Sequence, residues 1–220
     1  MSKKNRFVYI YELLDTHHGP QNWWPADTPF EVMVGAVLVQ NTTWRNASAA
    51  ITCLKNARLM SPSAIRNTPI YDLADFIVSS GYFNIKAQRL MALCEWLEES
   101  GGIDQIQRQS LKALRRNLLS VHGIGPETAD DILLYAFDRP VFVIDSYTRR
   151  LFSRLGLIRR EADYESLRGC FEKALERDMG VFNQYHALIV VHAKGTCKKQ
   201  PRCEACCLAV LCDGVQKNIL

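Results

Sequence analysis

Apolar residues recur at helical spacing along almost the whole chain, and strand-type alternation never persists. Phe7–Leu14 predicts a short amphipathic helix. A loop rich in turn formers follows from Thr16 to Pro29 and holds Trp23-Trp24-Pro25. Phe30–Gln40 is almost continuously apolar, which predicts a helix buried on all sides. Helices are expected next at Thr43–Ala57, Ser63–Asn67, Ile70–Ser79, Ile85–Ser100 and Ser110–Ser120, separated by Ser, Gly and Pro signals. Pro126–Phe137 predicts another, and Val141–Ile144 a short extended run. Tyr147–Leu155, Tyr164–Arg177 and Val181–Ala193 complete the set. The pattern predicts an all-α chain of about ten helices, with no repeat, low-complexity tract or free linker.

A chain of 220 residues is long enough for one large or two small domains with a proper core. The formal net charge is only +4, so basicity is a matter of position. Lys and Arg gather at Arg108, Lys112, Arg115 and Arg116, at Arg149, Arg150, Arg154, Arg159 and Arg160, and at Lys194, Lys198, Lys199 and Arg202. Such runs are either solvated helix faces or parts of a discontinuous phosphate-binding surface. Cys53, Cys94 and Cys170 sit in apolar helical patterns and read as buried free thiols. Met1–Arg6 is polar with no long apolar core behind it, so no export signal is expected, and no stretch approaches a membrane span. Free thiols without an export signal point to a reducing cytoplasm.

The tail changes the picture most. Cys197, Cys203, Cys206 and Cys212 are spaced C-x5-C-x2-C-x5-C around Pro201. Four thiols grouped this tightly read as one ligand set. Zinc sites usually pair two close C-x2-4-C knuckles, whereas only one close pair is present here. Looser thiolate spacing suits the spread corners of a [4Fe–4S] cube, and zinc remains the competing metal. Cys207 lies outside the spacing and reads as a spare.

Two further segments carry chemistry. Leu118–Ala129 reads LLSVHGIGPETA: a helix ends near Ser120, the chain turns through Gly123 and Gly125, and a second helix starts at Pro126. Glycines there allow tight left-handed turns, and the amides would converge at a helix start on an anion such as one DNA phosphate. A plain packing hairpin accounts for the same residues. About twenty residues further on, Val141-Phe142-Val143-Ile144 leads to Asp145 at the start of the next helix. An Asp in that place is an N-cap, or a carboxylate delivered by a buried segment, with Arg149 and Arg150 one turn on to keep it ionised or to hold phosphate.

LLSVHGIGPETADDILLYAF followed by VFVIDSYTRRLFSRLGL resembles the helix-hairpin-helix and catalytic-aspartate signature of the endonuclease III superfamily of DNA glycosylases. The cysteine loop 197–212 is similar to that family's [4Fe–4S] loop, with one residue fewer between the first two cysteines than in the commonest form. The resemblance runs from about Phe30 to Cys212 and implies two helical domains flanking a DNA-binding cleft. The expected division is 26–132, including the hairpin at about 110–137, against 1–25 plus 133–220 with the cluster loop. Bifunctional members carry a lysine in the second hairpin helix, where this chain has Glu127. A carboxylate cannot form the Schiff base that such a lysine forms with the sugar. The chain therefore looks most like the monofunctional 3-methyladenine DNA glycosylase III branch, supported by Val37–Trp44 and Trp23-Trp24-Pro25.

The resemblance implies Asp145 as the catalytic carboxylate, and Trp23, Trp24, Pro25 and Trp44 as the base pocket. It implies Gln40, Gly123, Gly125, Thr128 and Arg149 at the DNA, with Gln40 filling the gap left by an extruded base. An extruded base needs a flat aromatic slot, and Trp is the best π face for a cationic N-alkylated purine. Packing of Trp23 and Trp24 on the core is the competing role. The expected function is a monomeric, cytoplasmic base-excision-repair glycosylase that releases alkylated purines from double-stranded DNA. The alternatives are a glycosylase/AP lyase for oxidised pyrimidines using another lysine, such as Lys86 or Lys194, and a non-catalytic DNA-binding module.

Overall fold

The computed structural model describes residues 3–216, and every regular element in them is helical. The α-helices are α1 (Lys3–His18), α2 (Pro29–Leu38), α3 (Trp44–Asn56), α4 (Pro62–Arg66), α5 (Ile70–Phe76), α6 (Phe83–Glu99), α7 (Ile103–Ile106), α8 (Leu111–Ser120), α9 (Pro126–Ala136), α10 (Ser146–Arg154), α11 (Tyr164–Ala174), α12 (Met179–Gly195) and α13 (Asp213–Gln216). Single 3-10 turns occur at Val78–Ser80, Cys203–Ala205 and Ala209–Leu211. The chain folds into two compact units. One is Trp24–Arg139, and the other takes the residues up to Trp23 together with those from Pro140 onward. The boundary expected at residue 132 falls inside α9, and the chain leaves the central unit only after Arg139.

The central unit is built on α2. Pro29 occupies its first turn, where a missing amide costs nothing. Thr28 Oγ1 accepts the Glu31 N–H at 3.2 Å, and Glu31 Oε2 accepts the Asp27 N–H at 3.1 Å. Phe30 to Leu38 are all buried, and the helix packs against α3, α6 and α9. It ends two residues earlier than expected, before a left-handed turn at Asn41 (φ 54°). The expected helix Ile70–Ser79 breaks after Phe76 into a 3-10 turn. Lys86 of α6 is 1% exposed, and its Nζ donates to Leu38 O (2.9 Å) and Ser80 O (2.6 Å). Burial pushes this amine's pKa down to about 8. Through these two hydrogen bonds Lys86 ties α6 to the end of α2 and to the 3-10 turn.

The other unit has an aromatic core. Phe142 stacks on Phe171 (4.2 Å between centroids), Phe7 stacks on Phe152 (5.3 Å), and the Tyr185 hydroxyl donates to Phe7 O (2.8 Å). Helix α1 packs on α11 and α12, and α10 packs on α12. Helix α1 extends beyond the expected Phe7–Leu14 at both ends, which are polar and carry no periodic apolar signal to mark them. Val141–Ile144 is buried but is not a strand. Side chains satisfy its amides instead: Phe142 N–H donates to Glu172 Oε1 (3.3 Å) and Ile144 N–H to the Tyr164 hydroxyl (3.4 Å). Cys94 is buried, but Cys53 and Cys170 are exposed, on the solvent sides of α3 and α11.

Candidate functional site

Asp145 is the N-cap of α10. Its Oδ1 accepts the Thr148 N–H at 2.7 Å, and its Oδ2 lies 3.6 Å from Nε2 of His186 on α12. Asp145 is 9% exposed and His186 4%. Burial pushes the carboxyl's pKa up, but His186 and the Thr148 amide outweigh it and hold it below the ordinary carboxylate value. The group is therefore an anion at neutral pH, with Oδ1 held by the Thr148 amide and Oδ2 facing His186. The two arginines one turn on do not supply that field. Arg149 Nη1 donates to Arg160 O (3.1 Å) and Ala162 O (2.7 Å), and Arg150 donates to Cys197 O and Ala193 O (both 3.0 Å). His186 escaped the sequence reading. Its signal is an imidazole inside the buried Tyr185–Val190 run of α12.

Lys194, further along α12, holds its ammonium over the rings of Trp23 (5.8 Å) and Tyr147 (5.6 Å). Burial lowers its pKa and the charge of Asp145 opposes that. Trp23 thus serves this unit, whereas Trp24 serves the central one. Trp24 meets Trp44 edge-on at 5.4 Å and Tyr135 of α9 at 4.9 Å. Its backbone is left-handed (φ 65°), which is costly for a non-glycine residue. Its buried Nε1 has no hydrogen-bond partner and lies 3.3 Å from where a Cβ on Gly35 would stand. The half-buried rings of Trp24, Trp44 and Tyr135 form one aromatic group, with Pro25 exposed beside Trp24 in the chain. Tyr135 was hidden in sequence by the apolar run before it.

Helices α8 and α9 form the hairpin, pinned by Arg115 on the fully buried Asp130 (Nε–Oδ1 2.7 Å, Nη2–Oδ2 3.1 Å). Gly123 has φ +83°, as a left-handed turn requires. Gly125 does not: its φ is −88°, and a Cβ there would meet nothing within 4 Å. What it gives instead is a bare start to α9, with no side-chain cap. Gln40 Nε2 donates to Gly123 O (3.1 Å) and Thr128 Oγ1 (2.9 Å), and Gln40 Oε1 accepts from Arg89 Nη1. Gln40, Gly123 and Thr128, all expected at DNA, are thus one hydrogen-bonded set. Glu127 stands exposed on the first turn of α9.

The four spaced cysteines line one hollow of about 310 Å³ including its open mouth, together with Leu151, Arg154, Leu155 and Leu208. Cys207 is not among the lining residues. Burial pushes the Cys206 thiol up to about 11, and raises Cys203 with help from the Cys212 and Cys197 thiols. Arg154 Nη1 donates to Cys197 Sγ (3.3 Å) and Lys198 O (2.6 Å). His192 Nε2 lies 3.4 Å from Cys206 Sγ and its Nδ1 3.1 Å from His18 Nε2. Among the described residues no three His, Cys, Asp or Glu side chains converge closely enough to hold a single metal ion. None of the described helices is long and apolar enough to cross a membrane.

Residues 34–177 match the model of the HhH-GPD superfamily base excision DNA repair proteins. The chain is 44% identical to the putative DNA repair glycosylase MJ1434 of Methanocaldococcus jannaschii over 216 residues, 96% of this chain and 98% of that one. It is 29% identical to endonuclease III of Sulfolobus acidocaldarius over 86% of this chain and 84% of the relative. Its fold is similar to that of H. pylori 3-methyladenine DNA glycosylase (MagIII), solved bound to 1,N6-ethenoadenine: TM-score 0.75, 28% identity, 88% and 98% of the two chains covered. An endonuclease III–DNA complex superposes over 100% of this chain with a TM-score of 0.85; at 22% identity that likeness speaks for the fold. With the hairpin, the buried aspartate and a family match across both, the chain belongs to the HhH-GPD superfamily of base excision DNA repair glycosylases.

Proposed function

We propose that the chain is a monofunctional N-glycosylase that releases alkylated purines from double-stranded DNA. Two carboxylates, each placed within its own unit, carry this reading. Glu127 stands at the first turn of α9, where an imine-forming amine would be needed, and Asp145 is a buried, fixed anion. Cleaving the N-glycosidic bond leaves positive charge on the sugar, and a fixed carboxylate stabilises it without forming a bond. Asp145 also positions the water that attacks the sugar. An N-alkylated purine is already a good leaving group, so little acid catalysis is required. Trp24, Trp44 and Tyr135 supply faces for a flat cationic base. The bare start of α9 offers amides to a backbone phosphate and reads no sequence.

The cysteine hollow fits a [4Fe–4S] cluster on Cys197, Cys203, Cys206 and Cys212. A single zinc ion would require the four sulfurs within about 2.3 Å of one point. Here they line one open hollow, and their loose spacing along the chain suits the spread corners of a cube. When bound, the cluster supplies a covalent clamp on the loop. The chain works as a monomer in the cytoplasm, where its unpaired cysteines stay reduced.

An excision panel on duplexes carrying 3-methyladenine, 7-methylguanine, thymine glycol or uracil tests the reading. Release of the methylated purines without borohydride trapping supports it. Trp24→Ala and Trp44→Ala should each cut that release by an order of magnitude or more, since stacking is worth roughly 1–3 kcal/mol per base. Release of thymine glycol with a trapped imine would move the enzyme to the bifunctional alternative, for which Lys194 beside Asp145 is the amine the structure offers.

A further inference from the structure

Gln40 is expected to enter the gap left by an extruded base, yet its side chain is fully engaged elsewhere. Both Nε2 hydrogens go to the hairpin, at Gly123 O (3.1 Å) and Thr128 Oγ1 (2.9 Å). Its Oε1 takes a charge-assisted hydrogen bond from Arg89 Nη1 of α6. Arg89 reaches the same turn a second way. Its stem crosses the face of Gly123, so that a Cβ there would stand 2.2 Å from Arg89 Cγ, 2.5 Å from Cδ and 2.7 Å from Nε. The contacts close a ring: Arg89 to Gln40, Gln40 to Gly123, and Gly123 back under the Arg89 stem. Arg89 Nε is buried with no hydrogen-bond partner, a cost that this packing must offset.

We infer that Arg89 is a positioning residue for the DNA-gripping hairpin, acting through Gln40. The guanidinium fixes which end of the Gln40 amide faces the hairpin. The amide then holds the Gly123 carbonyl and Thr128, and so sets the turn that presents the α9 amides to phosphate. Gln40 is thus a brace for binding any duplex, whether or not a base has been extruded. This rests on the hairpin gripping DNA, as proposed above, but not on the lesion chosen or on base release.

The test is binding of undamaged duplex and of abasic-site duplex, read by fluorescence anisotropy over a salt series. The proteins are the full-length chain, Arg89→Met, Arg89→Lys, Gln40→Ala and the Arg89→Met/Gln40→Ala pair. Methionine keeps an aliphatic stem over Gly123 and removes the donor. Each of Arg89→Met and Gln40→Ala should weaken both duplexes by about tenfold, and the double variant by no more than either alone, as for residues acting through one contact. Arg89→Lys should recover part of the loss. The salt dependence should keep its slope. A slope lower by about one, with additive losses, would mean that Arg89 contacts phosphate directly and would overturn the inference. Loss confined to abasic DNA would overturn it too, leaving Gln40 as a gap filler alone. If the unaltered protein bound neither duplex, the hairpin reading itself would fall, a separate result from either of these.

Discussion

Asp145→Asn separates the capping role of this side chain from the catalytic role proposed for it. Asparagine caps helices about as well as aspartate, so the Thr148 N–H held at 2.7 Å keeps an acceptor. Stability should therefore change little, whereas Asp145→Ala, which removes the cap, should cost about 1 kcal/mol. Catalysis should respond the other way round. A unit negative charge about 4 Å from a sugar cation is worth roughly 4 kcal/mol at an effective dielectric of about 20. At 1.36 kcal/mol per tenfold, that is roughly a thousandfold in rate. The assay is single-turnover base release from an alkylated duplex, beside urea denaturation and affinity for abasic-site DNA. Asn should lose release and keep folding and binding. Release above about a tenth of the original rate would refute the electrostatic role. Unfolding of the Asn variant would reduce Asp145 to a structural residue.

Three further outcomes are expected. Gly123→Ala should destabilise the chain by more than the roughly 1–2 kcal/mol of left-handed strain, because Arg89 must also move, whereas Gly125→Ala should leave the urea midpoint nearly unchanged and weaken DNA binding. Cys203→Ala should lose the broad absorption expected near about 400 nm for a thiolate-held cluster, and Cys207→Ala should keep it; a colourless protein with one zinc would overturn the assignment. Lys86 has its folded pKa at about 8, below the ordinary lysine value. Between about pH 8 and about 10.4 the unfolded chain holds a proton that the folded chain lacks, so stability should rise with pH across that window, and Lys86→Met should abolish the rise in urea midpoints.

Sequence disclosed this fold where one signal dominated. The almost continuously apolar run of α2 and the Pro126 start of α9 can be placed within two residues, since burial and a missing amide each leave one solution. Polar helix ends were invisible, which is why α1 was read short, and helices of four residues such as α7 and α13 have no period to show. The apolar run Val141–Ile144 announces a buried non-helical segment, but not the partners of its amides, Glu172 and Tyr164, which come from distant sequence. The same holds at the site. The positions of Asp145 and the cysteines announced chemistry, but His186, Arg89 and Tyr135 matter only through contacts that spacing does not encode.

Helix α10 ties the cysteine loop to the carboxylate. Its nine residues begin at the Asp145 cap and end at Arg154, a rise of about 13 Å. At the far end Arg154 donates to Lys198 O and Lys199 O, the Cys212 thiol donates to Arg154 O at 3.4 Å, and Arg150 holds Cys197 O and Ala193 O. A loop fixed on its cysteines therefore fixes the end of the helix whose start aims the carboxylate. The hairpin needs none of this, since Gln40, Arg89 and the Arg115–Asp130 pair brace it within the central unit. Weakening the cysteine loop should thus reach base release through Asp145 before it reaches the hairpin's hold on phosphate. A folded variant that lost binding first, with base release on saturating DNA intact, would show that the loop itself is the DNA contact and that α10 carries nothing between them.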